Sequence, residues 1–184
     1  MSSTGKVVVN RAVSLDGYIA GPGDSVRWAG RPVAEFVAPE DMAEVAGNTG
    51  AMLIGRRTWE VGDKMEEEEP GSVDYPFSGP MFLLTHRPLD PPDPDVTILS
   101  GDIGEAVATA LAAAGGKDLE ILGADVAAQC LRAGLVDEIL IYLLPVLLGD
   151  GVRFTPPGLA MIELDQISSK RSGDATMTRY RVRR

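Results

Sequence analysis

The chain is poor in the residues on which metal and nucleophile chemistry depends. Its 184 residues include one cysteine, Cys130, and one histidine, His86. A lone cysteine excludes an intramolecular disulfide and gives no sign of an oxidising compartment. Two such ligands far apart in sequence cannot assemble a zinc-type set. A Ser-His-Asp or Cys-His hydrolase would rest on His86 alone, which stands in "LLTHRP" (83–88) beside a proline with no nucleophile elbow nearby. Long apolar runs are missing too. None reaches the ~18 to 20 residues that span a bilayer, and "MSSTGKVVVN" at the start has no charged leader ahead of an apolar segment. A cytoplasmic protein is expected. Basic residues are outnumbered, 17 Lys and Arg against 27 Asp and Glu, for a net charge of −10. Nucleic acids and anionic membranes require broad basic surfaces, so neither is an expected partner. Any anionic small molecule must be met by a local cluster of cations.

What is present is an ordinary globular composition, 45% hydrophobic and 24% charged, in a length that fits one domain over residues 1–184. Short apolar runs alternate with helical segments. Strands are expected at 6–14, 51–55, 81–85, 96–100, 119–123 and 138–149, the last ending at Pro145. Helices are expected at 38–48, for a turn or two after Gly55, at 102–116 with an acidic start and a glycine stop, and at 124–134. Residues 65–80, with four consecutive glutamates, are expected to be a solvated loop. Two final strands, 161–170 and 175–183, joined by "RSGD", form a hairpin. Strand–helix alternation predicts a mostly parallel sheet between two helical layers, an α/β three-layer domain with an antiparallel C-terminal hairpin. Cys130, among apolar neighbours on the helix 124–134, is expected to be a small buried hydrophobe.

In such a sheet, ligands bind beyond the carboxyl ends of the parallel strands. The loops at 15–28, 55–60, 85–88, 123–126 and 145–153 are therefore the informative ones. "GRRTWE" (55–60) leaves a strand through Gly55 and opens a helix with Arg56, Arg57 and Thr58. Free N–H groups at a helix start, with added cations and a hydroxyl, suit a phosphate; equally, Thr58 could cap the helix while the arginines face solvent. Thr85, His86 and Arg87 form a second basic cluster, and "ILGADVA" (121–127) a third strand–glycine–helix junction, where Asp125 opposes an anion. Together they offer contacts for a ligand with a pyrophosphate and a separate phosphate, such as NADPH.

"GRRTWE" closely resembles the Gly-Arg-x-Thr-Trp-Glu motif of dihydrofolate reductases. With "SLDGYIAG" (14–21), "ILGADVAAQCLRAGLVDEI" (121–139) and "PVLLGDG" (145–151), the chain resembles the C-terminal reductase domain of the bifunctional riboflavin-biosynthesis deaminase–reductase and its free-standing relatives. The resemblance implies a dihydrofolate reductase-like fold, NADPH as hydride donor and a homodimer through the later strands. Carried over by motif, Gly55, Arg56 and Thr58 would meet cofactor phosphates. Thr85, His86 and Arg87 would lie near the adenosine 2′-phosphate. Gly123, Ala124 and Val126 would line the pyrophosphate and nicotinamide side, and Ile19 and Ala20 would approach the nicotinamide. Asp16 and Gly17 would shape the loop. Ser25 to Trp28 fits a Ser-x-x-Trp substrate motif, and Asp41 is the nearest match to the substrate carboxylate. The expected activity is reduction of a pterin-like or ribosylaminopyrimidine-like small molecule. A non-catalytic nucleotide-binding or regulatory protein on the same scaffold is the alternative.

Overall fold

The structure, a computed structural model, describes residues 5–68 and 75–184. A valine-rich run forms β1 (Val7–Ser14) at the centre of the sheet. After it come β2 (Tyr18–Ala20) and the small hairpin β3 (Arg27–Trp28) with β4 (Arg31–Pro32). Helix α1 (Pro39–Asn48) starts with proline and two acids, as the helix dipole favours. Next come β5 (Thr49–Gly55), α2 (Arg56–Glu68), β6 (Met81–Leu84) and β7 (Val96–Leu99). Asp102 caps α3 (Ile103–Ala113), its carboxylate accepting from the N–H groups of Gly104 and Glu105. The chain closes with β8 (Asp118–Leu122), α4 (Ala124–Arg132), β9 (Glu138–Leu144), β10 (Val152–Arg153), β11 (Leu164–Ser172) and β12 (Ala175–Val182).

Eight strands form one sheet in the order β11-β12-β9-β1-β8-β5-β6-β7, parallel from β9 to β7 and antiparallel through β12 and β11. This is the expected mixed sheet. One face packs on α3 and α4 through Val9, Leu53, Leu119, Ile121, Val107 and Cys130. The other packs on α1 and the loop carrying Trp28 and Phe36. Cys130 is wholly buried, and burial pushes its thiol up to about 12, so it is an inert packing residue.

Two expectations change. Residues 65–68 are helical, because α2 runs well past the one or two turns predicted. The i, i+4 pair of Lys64 and Glu68, 3.6 Å apart, falls in this added length. The fourth glutamate of that run and the residues up to 74 lie outside the described residues. The first strand of the final hairpin begins at Leu164 and ends at Ser172 rather than at 161 and 170. Its turn is Gly173–Asp174. Gly173 has φ +60, and a Cβ there would lie 2.6 Å from the Phe36 carbonyl oxygen, so the turn is pinned beneath the entrance to α1.

Candidate active site

Five parallel connections put the carboxyl ends of β1, β5, β6, β8 and β9 along one margin of the sheet, where a cavity of about 1930 Å³ opens. Its walls include eleven of the residues expected at a cofactor: Ile19, Ala20, Gly55, Arg56, Thr58, Thr85, His86, Arg87, Gly123, Ala124 and Val126. The two strand–glycine–helix junctions touch. Gly123 has φ +98, and a Cβ on it would sit 2.5 Å from the Thr58 hydroxyl, while one on Gly55 would meet Val126 at 3.0 Å. The starts of α2 and α4 are thereby held side by side with their free N–H groups at the same mouth. Thr58 is the third residue of α2 and not its cap.

The cations have distinct duties. Arg56 is paired with Glu60 at 2.7 Å and donates to the carbonyls of Arg87 and Pro88 at 3.1 and 3.0 Å. It therefore braces the loop after β6 against α2. Arg57 makes a two-pronged bond to Asp24 at 2.9 and 2.6 Å, tying the loop after β2 to the start of α2, and that bond raises its pKa. The Thr85 hydroxyl holds the turn by accepting from the Arg87 N–H at 3.2 Å. His86 and the Arg87 side chain are exposed at the rim.

The loop after β1 is fixed from the far end of the chain. Asp16 accepts from the Ser14 hydroxyl at 2.6 Å and from the N–H groups of Gly149 and Leu148 at 2.7 and 3.1 Å. Those bonds, the Ser14 hydroxyl first, lower its pKa to about 2. Beside it β2 pairs with β10, Ala20 opposite Val152. The quoted stretches at 14–21 and 145–151 are thus two halves of one wall, and Ile19 and Ala20 are presented to the cavity by it.

Three expected residues lie elsewhere. Asp41 is buried in α1 and does not line the cavity. Lys170 of β11 holds it at 2.6 Å, and this bond, with one from Ser172, lowers its pKa. Trp28 is 1% exposed in the core, its indole N–H donating to the Ser25 carbonyl at 3.1 Å. Ser25 is exposed and its hydroxyl serves Arg27, so the Ser-x-x-Trp spacing here builds a turn that seats a core side chain.

The acid inside the cavity is one that sequence reasoning missed. Glu120 of β8 is 3% exposed on the floor. It accepts from Asn10 Nδ2 at 3.0 Å and lies 2.8 Å from the Tyr75 hydroxyl and 3.1 Å from that of Thr49. Burial raises its pKa against the opposing pull of those hydroxyls, Arg11 and Asn10. The Arg11 guanidinium is also buried; desolvation lowers it to about 10, so it stays charged, and its Nη2 has no partner. The Tyr142 hydroxyl, 5% exposed as a residue, is likewise unpartnered, and both groups line the cavity. The available signal was a charged residue in the apolar run "LEILG", at a position whose alternation puts it on the same face as Asn10.

A mostly parallel sheet with antiparallel strands at one edge, and a cleft at the ends of its parallel strands, defines a dihydrofolate reductase-like fold. The chain belongs to the RibD C-terminal domain family, whose model matches residues 5–178. That family comprises reductase domains of riboflavin biosynthesis. Among solved structures, a Shewanella species PV-4 protein named for riboflavin biosynthesis is 27% identical, with a TM-score of 0.79 over 97% of this chain and 99% of that one. A pyrimidine reductase-like protein of Corynebacterium diphtheriae is 14% identical, with a TM-score of 0.66 over 99% of this chain and 93% of that one. The Thermotoga maritima diaminohydroxyphosphoribosylaminopyrimidine deaminase/5-amino-6-(5-phosphoribosylamino)uracil reductase is 14% identical, with a TM-score of 0.67; the alignment covers 98% of this chain and 57% of that one. A search of curated proteins finds no match. No helix among the described residues is long and apolar enough to cross a membrane.

Proposed function

We propose that the chain is an NADPH-dependent reductase of a pterin-like or ribosylaminopyrimidine-like small molecule, with the reduction of 5-amino-6-(5-phosphoribosylamino)uracil in riboflavin biosynthesis as its specific reaction. The observation that carries this reading is the junction at Gly123 and Thr58, where two helix starts meet at one cavity mouth. Paired helix N-termini suit a pyrophosphate, and the Gly123 backbone lets it approach without a Cβ in the way. Gly55, Arg56, Thr58, Ala124 and Val126 would hold the phosphates, with His86 and Arg87 at the 2′-phosphate. Ile19 and Ala20 would keep water from the nicotinamide. When bound, the cofactor supplies hydride. The chain's own residues bind it, exclude water and hold the acceptor ring against the floor at Asn10, Glu120 and Tyr142.

With Asp41 committed to Lys170, a non-catalytic binding protein is the second reading. The two part in one assay, NADPH oxidation followed by absorbance with dihydrofolate, a simple pterin and 5-amino-6-(5-phosphoribosylamino)uracil in turn. Turnover of the aminouracil above the other two is the expected result. No oxidation with any of them, in protein that binds NADPH, would establish the second reading.

A further inference from the structure

A buried guanidinium stands where β1 and β8 part. The two strands pair from Val7 opposite Leu119 to Val9 opposite Ile121, while β1 stays paired with β9 as far as Ser14. Continuing the first register puts Arg11 level with Gly123, at the start of α4. Val7 and Val9 pack under α3 and α4, and alternation puts the Arg11 side chain on that same face. There Nη1 donates to the main-chain carbonyls of Asn10 and Ile121 across the gap, and Nη2 has no partner. Arg11 is 7% exposed and lines the cavity.

Its charge is left over from these bonds. Bracing two carbonyls takes one nitrogen, and among the described residues no salt bridge joins Arg11 to a carboxylate. Glu120 acts on it from the opposite face of the sheet, where its carboxylate accepts from Asn10, Thr49 and Tyr75. Asp125, in the first turn of α4, is exposed, and its field falls on Arg57. Desolvation lowers the Arg11 pKa to about 10 against the pull of Glu120, so the group is charged at neutral pH.

The course of a dinucleotide along the sheet would bring a charge-sensitive group to this place. The strand order is β1-β8-β5-β6, with neighbours about 4.8 Å apart. A 2′-phosphate at Arg87 lies beyond β6, and a pyrophosphate at Thr58 and Gly123 lies over the ends of β5 and β8. The next strand along the margin is β1, so the nicotinamide would arrive there, beside Ile19 and Ala20. NADPH and NADP+ carry the same phosphates and differ by one positive charge on that ring.

Resting on the reductase reading, we infer that Arg11 is a specificity-determining residue that discriminates between the redox states of the cofactor, its buried charge repelling the cationic ring of NADP+ and not the neutral ring of NADPH. Like charges repel far more strongly where water is excluded than at an exposed surface. The phosphate contacts at the mouth take no part in this discrimination, because both forms make them. The consequence is exchange: the oxidised cofactor is released readily, and NADPH binds in its presence.

The test is isothermal titration of the full chain with NADPH and with NADP+, without substrate. The ratio of the two dissociation constants is read, so that the phosphate contacts cancel. The wild type should bind NADPH at least about tenfold tighter, which corresponds to a rise of about 30 mV in the midpoint potential of the bound couple. Arg11→Gln keeps an N–H donor for the carbonyls and removes the charge. It should bring the two constants within about threefold of each other, chiefly by tightening NADP+. Arg11→Lys keeps the charge and should keep most of the preference. An unchanged ratio in Arg11→Gln, with a lower apo melting temperature, would make Arg11 a brace alone and overturn the inference. A wild type that binds NADP+ as tightly as NADPH overturns it without any variant. Binding of neither form overturns both the inference and the cofactor assignment, whereas no NADPH oxidation with the ratio intact overturns the reductase reading alone.

Discussion

Gly123→Ala is the sharpest perturbation of the site, because two independent costs can be worked out and separated. Gly123 has φ +98 and ψ 137, a region open essentially to glycine alone. Holding alanine there costs about 1–3 kcal/mol. The added Cβ would also lie 2.5 Å from the Thr58 hydroxyl oxygen and 3.6 Å from its Cβ. The hydroxyl is the near end of a short β-branched side chain with restricted rotamers, so it cannot swing far, and the starts of α2 and α4 must part. In a protein of this size each kcal/mol moves the melting temperature roughly 2–4 °C, so calorimetry should find a drop of several degrees. Thr58→Ala made in the Gly123→Ala background removes the clashing oxygen and leaves the backbone strain. The double variant should recover part of the loss, which gives a non-zero coupling in the double-mutant cycle. Stabilisation by saturating NADPH should fall in the single variant beyond its loss of apo stability. A Gly123→Ala protein that melts with the wild type, or additive effects in the cycle, would refute the side-by-side arrangement of the two helix starts.

Arg87→Ala should weaken NADPH by about 1 kcal/mol, roughly fivefold, and leave NADH unchanged, since the guanidinium is exposed and its charge is screened; fluorescence titration of both cofactors decides, and equal weakening would remove it from the 2′-phosphate. Arg56→Ala should instead weaken both cofactors, because it releases the Arg87 and Pro88 carbonyls from α2. Asp16 has a folded pKa near 2, below its ordinary 3.8, so the stability it contributes is complete above its ordinary value and is lost as pH falls toward 2. The gap in melting temperature between wild type and Asp16→Asn should therefore close over that window, and a gap constant with pH would contradict the bonds to Gly149 and Leu148. We expect a homodimer through the later strands, where Leu143, Leu147, Leu164 and Ile167 are exposed; light scattering of a pure monomer at micromolar concentration would refute it.

The sheet was legible because its signals are local. β5 and β6 are short unbroken apolar runs, which only strands covered on both faces can carry, and Gly55 and Gly123 mark strand ends whatever the tertiary context. The cavity wall was legible for the same reason: a residue at the end of a parallel strand is at the ligand edge. The residues that the structure places away from expectation have the opposite character. Asp41, Ser25 and Trp28 were placed by motif spacing, but whether a side chain on α1 reaches the cavity or Lys170 depends on where β11 lies, 129 residues away in sequence. Glu120 was passed over because its partners Asn10, Thr49 and Tyr75 come from three separate segments, and no window of the sequence contains them together.

On the reductase reading, the distribution of charge along the cavity would let a protein of net charge −10 meet an anionic cofactor at the mouth and a substrate ring at the floor. Its exposed cations lie at the mouth: Arg56 and Arg57 are half-committed to Glu60 and Asp24, while the Arg87 guanidinium faces solvent; the buried Arg11 guanidinium lies deeper in the lining. The exposed ones attract phosphate at modest desolvation cost, since water still reaches them. The floor at Asn10, Glu120 and Tyr142, by contrast, is buried, so charge on it carries a desolvation cost. Glu120 offsets part of that cost with the hydrogen bonds it accepts from Asn10, Thr49 and Tyr75. On the same reading, a phosphorylated substrate would enter ring first and leave its phosphate at the mouth, beside Arg56, Arg57 and Arg87. Removing the phosphate from such a substrate should cost affinity at the rim and leave the selectivity for the ring intact, a separation that comparison of the phosphoribosyl and ribosyl forms of the aminouracil would expose. Equal loss of both would mean that the phosphate and the ring share one subsite.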